Sequence, residues 1–185
     1  MMFTQPPASL RRVSILAIDK VFASTLMQAK DFFHLASLRY SKQLGLGLQP
    51  MFEIHLVSPD GLPVESFSNV QLPVDGGLED ADVIILPAFW DDFDNLLQRY
   101  PQVLPWLRAQ HARGAVLCAE ASGVFWLAES GLLAGKEPTP YWRFFGRFEE
   151  RLPNVRLHQA TPPPAAAHLY CARGSTPACA LYLSL

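Results

Sequence analysis

"GAVLCAEASGVFWLAESGLLAGK", residues 114–136, is the stretch whose reading decides the fold. The uncharged run "AVLCA" (115–119) has the character of a strand buried on both faces, and "SGVFWLAESGLL" that of the helix leaving it. Only Glu120 and Ala121 stand between them, so the chain must turn sharply from strand to helix. Many hydrolases present a nucleophile at the tip of such a turn, where backbone N–H groups and a helix start face one point. The residue at this tip is Ala121, whose methyl group attacks nothing. Ser122 is adjacent, but no base is placed for it by the sequence. Cys118 lies three residues earlier, inside the strand, where a thiol behaves as a small hydrophobe.

Outward from the elbow, short β-branched runs alternate with segments of helical period. "RVSILAI" (12–18), "MFEIHLVS" (51–58) and "DVIILP" (82–87) read as strands. Leu26, Ala29, Phe33 and Ala36 recur at helical spacing, with Ser24 or Thr25 as the cap. "DDFDNLL" is a solvated helix start, and "PQVLPWLRAQHARG" a helix opening at Pro101 and stopping at Gly114. "SPDG" and "VDGGLED" are turns. Further on come the amphipathic "YWRFFGRFEERL" (141–152), short strands in "VRLH" and "AHLYCA", and a last helix beginning in "STPACALYLSL". This alternation predicts an α/β fold with a mainly parallel sheet, organised as a single domain over residues 1–185.

The bulk composition narrows the function. Half of the 185 residues are hydrophobic and 17% are charged, which excludes disorder and fills a sizeable core. A formal net charge of −2 supplies no basic surface for nucleic acid. Three cysteines with no CxxC spacing argue against a disulfide framework and for a reducing, cytoplasmic setting. No apolar run approaches the length of a membrane span. The five histidines are isolated, so neither a metal nor another cofactor is implied. In an open parallel sheet, ligands bind beyond the carboxyl ends of the strands. Asp19, Phe89, Trp90, Glu120, Ala121 and Ser122 all fall at such ends, and Tyr141 and Trp142 open the segment after "KEPTP".

The order of these pieces resembles the PfpI-like, glutamine-amidotransferase-like domain at the N-terminus of AraC-type transcriptional regulators. The matching text is "FEIHLVSPDGLPVESFSNVQLPVD" before "ADVIILP", then "PWLRAQHARGAVLCAEASGVFWLAESGLLAGKEPTPYW", and later "LPNVRL" and "GSTPACALYLSL". The resemblance implies a flavodoxin-like three-layer sandwich. It also implies a homodimer that senses a small-molecule effector, an amino acid or quaternary-amine derivative. DNA would be read by a helix-turn-helix domain following residue 185, and no membrane is involved. The apolar ending "LYLSL" fits either a chain that continues or a docked last helix.

Departures from the family pattern bear on activity. Counted back from "GLL", the elbow cysteine of enzymatic relatives falls on Ala121, and the histidine of their "TTHW" segment on Tyr141. The glycine-rich loop after the fourth strand reads "PAFW" (87–90), and the first-helix region reads "TLMQAKDFF" (25–33). The expectation is therefore a non-catalytic ligand-binding pocket built from Asp19, Phe89, Trp90, Glu120, Ala121, Ser122, Tyr141 and Trp142. Aromatic walls would hold a cationic headgroup and elbow amides an anion. The alternatives are a cysteine-type hydrolase or amidotransferase of the same superfamily, and a stand-alone interaction domain.

Overall fold

The computed structural model of the chain describes residues 10–43, 45, 47, 50–134 and 168–172. Strands β1 (Arg11–Leu16), β2 (Phe52–Val57), β5 (Val83–Leu86), β6 (Val116–Glu120) and β7 (Leu169–Ala172) form one parallel sheet in the order β2-β1-β5-β6-β7. A small antiparallel pair, β3 (Val64–Glu65) and β4 (Gln71–Leu72), lies beside it. The helices are α1 (Ala23–Gln43), α2 (Phe93–Arg99), α3 (Val103–Ala112) and α4 (Val124–Glu129).

Parallel strands need crossovers, and crossovers are right-handed. From β1 the chain crosses through α1 to β2 on one side, whereas from β5 it crosses through α3 to β6 on the other. Helices α1 and α3 therefore cover opposite faces of the sheet, making three layers. The central strand β5 is buried along its whole length, as a strand covered on both sides must be. Register aligns Val13 and Ile15 of β1 with Ile54 and Leu56 of β2, and with Val83 and Ile85 of β5, on the face under α1. There Phe33 of α1 meets Phe52 at 5.4 Å between ring centres.

Several expected boundaries shift for local reasons. Helix α1 begins at Ala23, so Ser24 and Thr25 lie inside its first turn and cap nothing. Instead the Thr25 hydroxyl donates back to the Phe22 carbonyl at 2.9 Å. Leu26, Ala29 and Phe33 are buried as the spacing predicts, but the next inward residue is Ser37 rather than Ala36, and its hydroxyl accepts the Met51 N–H. Helix α3 opens at Val103, not Pro101; its Pro105 sits in the first turn, where no N–H is needed. The helix leaving the elbow is shorter than "SGVFWLAESGLL" suggests. A 3-10 turn occupies Ala121–Gly123, α4 follows, and Gly131 at φ 78° ends it as a left-handed cap.

Other expectations hold. Asp92 caps α2 by accepting the Asp94 N–H at 2.8 Å, with its acidic neighbours exposed. The "SPDG" turn closes with Gly61 at φ 74°. "VDGGLED" does more than turn: Asp75 exchanges hydrogen bonds with Leu56, and Gly76 bridges to Val57, so the segment runs along β2. The amphipathic segment 141–152, the strand in "VRLH" and the last helix lie outside the described residues.

Candidate functional site

The elbow is a strained, tightly packed turn. Glu120 closes β6 in extended conformation, and Ala121 then adopts φ 45°, a left-handed conformation that costs an L-residue on the order of 1–2 kcal/mol. Gly123, two residues on, has no room for a side chain. A Cβ there would lie 2.1 Å from the Leu86 carbonyl oxygen and 2.9 Å from that of Pro87. The elbow is thus pressed onto the end of β5, and that contact holds Ala121 in its unfavourable conformation.

Ser122 secures the same contact from the other direction. Its hydroxyl accepts the Phe89 N–H and donates to the Phe89 carbonyl, both at 2.8 Å, and the residue is buried. Both functions of the hydroxyl are consumed by backbone. With α4 only six residues long, few peptide dipoles add up behind the elbow N–H groups.

Strand order reverses direction between β1 and β5, which makes the gap between their carboxyl ends the topological switch point. Backbone closes this gap. Phe22 donates to the Ala88 carbonyl and Trp90 to that of Lys20, each at 2.9 Å, around an antiparallel bridge between Val21 and Phe89. Asp19 works as a clasp. One carboxylate oxygen accepts the Glu65 N–H at 2.8 Å; the other accepts the Tyr100 hydroxyl at 3.0 Å and pairs with Arg99 at 2.6 Å. Burial, then the bond to Asp19, pushes the Tyr100 phenol up to about 12.

The two aromatics of "PAFW" part company. Phe89 points into the core, stacked on Phe93 at 5.9 Å and tilted against Trp126 at 6.4 Å. Trp90 is about half exposed and joins Phe22 and Phe67 in an outward cluster, with ring centres 6.5 and 6.0 Å away. Tyr141 and Trp142 lie outside the described residues. Sequence reading missed Arg99, Tyr100, Phe67 and Gly123. Of these only Gly123, placed just past a strand-to-helix turn, carries a local signal.

Glu120 is the unusual group. It is fully buried, and neither carboxyl oxygen has a hydrogen-bond partner among the described residues. Burial alone pushes its carboxyl up to about 8, so the acid is largely neutral at pH 7. Cys118, two residues earlier on the same face of β6, is also fully buried, and burial drives its thiol well above the ordinary range. A thiol so placed is a poor nucleophile. Cys118 is a free thiol. Among the described residues no His, Cys, Asp and Glu cluster can hold a metal, and no helix is long and apolar enough to cross a membrane. A cleft of about 320 Å³ lined by Arg12, Glu53, Asp80, Asp82 and Arg113 opens at the amino ends of the strands, opposite the elbow. Its charges are paired: Arg12 with Glu53 and Arg113 with Asp80.

A parallel sheet in this strand order, covered by helices on both faces, has counterparts among known structures. DJ-1beta of Drosophila melanogaster superposes with a TM-score of 0.71 at 20% identity, covering 95% of this chain and 88% of that one. This is a DJ-1/PfpI-like fold. An AraC family transcriptional regulator from Pseudomonas putida shares the PfpI-like fold with a TM-score of 0.74 at 18% identity, over 94% of this chain and 89% of that one. In sequence, the chain is 30% identical over 112 residues to the HTH-type transcriptional regulator CdhR of Pseudomonas aeruginosa, which is 59% of this chain and 32% of the regulator. It is 32% identical over 98 residues to isonitrile hydratase of Pseudomonas putida, 51% of this chain and 42% of the hydratase. The matched part of the chain thus spans 32% and 42% of the length of these curated relatives. No protein-family model matches it.

Proposed function

We propose that this PfpI-like fold is the non-catalytic, ligand-sensing and dimerising domain of an AraC-type transcription regulator, working in the cytoplasm. DNA reading belongs to a helix-turn-helix unit outside these 185 residues. The observation that carries the reading is the elbow itself: its apex keeps the strained φ 45° of a nucleophile turn while the side chain there is a methyl group. Chemistry at this point needs a nucleophile, a base and an electrostatic clamp in reach of one another. Ala121 supplies no nucleophile, the Ser122 hydroxyl is held by Phe89, and Cys118 is a buried thiol with its pKa raised. Similarity to a transcriptional regulator supports the assignment.

Binding is the measurable consequence. A ligand at a hundred times its Kd stabilises the native state by about 2.7 kcal/mol, which is roughly 5–10 °C in Tm for a domain of this size. A screen of amino-acid and amine metabolites at millimolar concentration is expected to contain compounds that shift the melting of the chain. A flat response across the screen counts against sensing. Thiol-dependent turnover of an isonitrile or amide substrate, lost in Cys118→Ser, would replace the reading with an enzymatic one.

A further inference from the structure

Glu120 is an expensive residue to leave as it stands. A polar group buried without a partner costs on the order of 1–3 kcal/mol, and native proteins hold few of them. No described neighbour relieves it. In register it lies beside Ala172 of β7, and Ala121 follows it in the chain. Cys118, on the same face of β6, sits one strand repeat away beside Tyr170 of β7. Cys171, between Tyr170 and Ala172, falls on the opposite face. β5 offers only Val83–Leu86, none of them titratable. The inward residues of α1 are Thr25, Leu26, Ala29, Phe33, Ser37 and Ser41, also without a titratable group. Glu129, at the far end of α4, is the nearest acid along the chain. Glu120 thus stands between alanines in register and in sequence, at the carboxyl end of β6, one strand from the switch point, on the edge where this class of sheet receives its ligands.

We infer that Glu120 is the ligand-recognising group of the elbow, and that it takes an N–H-bearing cation, a primary ammonium or a guanidinium, giving up its own proton as the ligand binds. The inference rests on the sensing reading above and names the chemical class of the effector. Two acceptor oxygens call for at least two donors. An alkylammonium carries three and a guanidinium five, whereas a quaternary ammonium carries none and would leave both oxygens unbonded. The step balances: the carboxylic acid and the ligand cation become a carboxylate–cation pair, and one proton passes to solvent. A buried charge is tolerated only when paired and hydrogen-bonded, so the proton leaves only when the cation arrives.

The test uses the 185-residue chain. Propylammonium, propylguanidinium, tetramethylammonium and propionamide are titrated calorimetrically at pH 6.5 and 7.5, in phosphate and in HEPES, whose ionisation heats differ. The expected result is that propylammonium or propylguanidinium binds with close to one proton released. Affinity should rise nearly tenfold over that pH unit, because one proton is exchanged. Glu120→Gln, with an unchanged far-UV spectrum, should bind at least tenfold more weakly with no proton release. Thermal shift by the same compounds provides an independent reading if calorimetric heats are small. Tetramethylammonium or propionamide binding best, or amine binding unaffected by Glu120→Gln, overturns the amine assignment and leaves sensing standing. No binding by any of the four also overturns it, and sensing itself is then judged by the wider metabolite screen.

Discussion

Ala121 and Glu120 are adjacent, and each is held in a state its own chemistry disfavours. The alanine is in left-handed backbone, and the glutamate is buried with no hydrogen-bond partner among the described residues. Ala121→Gly removes the Cβ conflict and should stabilise the fold by about 1 kcal/mol, seen as a higher urea midpoint. For Glu120 the sign follows from linkage. Its folded pKa of about 8 stands above the ordinary 4.5 of a glutamate, so between those limits the native state holds the proton that the unfolded chain has released. The stability it contributes is full below about 4.5 and is lost as pH rises through about 8. At about 1.4 kcal/mol per pH unit this amounts to several kcal/mol. Denaturant midpoints measured from pH 5 to 9 should fall for the natural chain relative to Glu120→Gln. Parallel curves for the two proteins would mean that Glu120 titrates normally. The identity of both residues is plain in the sequence, but their states are not. Gly123, two residues past Ala121, lies against Leu86 and Pro87, which stand 37 and 36 positions earlier in the chain.

Among the elements, the loops after β1, β5 and β6 behave as one assembly. Ser122 ties the elbow to the loop after β5, and backbone hydrogen bonds tie that loop to the one after β1. Asp19 extends the assembly to β3 and to the end of α2. Ser122→Ala leaves the buried Phe89 N–H without its partner and should cost about 1–3 kcal/mol. It should also speed amide exchange at Phe89 and Trp90. Gly123→Ala must push backbone apart and should cost about 1–3 kcal/mol, with the largest chemical-shift changes at Leu86 and Pro87 rather than along α4. Strand existence was legible at this scale because buried parallel strands are continuous apolar runs, as in "VIIL". Helix ends were less so. Thr25 reads as a cap, yet its hydroxyl is drawn to the Phe22 carbonyl, while the backbone entry into α1 is set by the Phe22–Ala88 hydrogen bond.

For the whole molecule, the three-layer sandwich sets Asp19, Phe89, Trp90, Glu120, Ala121 and Ser122 at the carboxyl edge of the sheet and a paired ion network at the other edge. The proposed dimer makes a direct prediction: sedimentation equilibrium at micromolar concentration should return twice the 20.6 kDa of one chain. A monomer at that concentration would remove dimerisation from the proposal without touching the ligand-binding argument. The Trp90, Phe22 and Phe67 cluster, exposed at the same edge, gives tryptophan fluorescence as a reporter of events there.

The sequence by itself determined the α/β class, the parallel sheet, the elbow and the absence of a nucleophile at its tip, since each is written in local pattern or residue type. Only the tertiary structure decided how the remaining candidates are used. Asp19 is a clasp, Phe89 a core residue, Ser122 a backbone tie, and Glu120 a buried acid with no partner among the described residues. The reason is physical. A side chain's hydrogen bonds and its distance from water depend on residues brought together across the sheet, and no window of local sequence contains them.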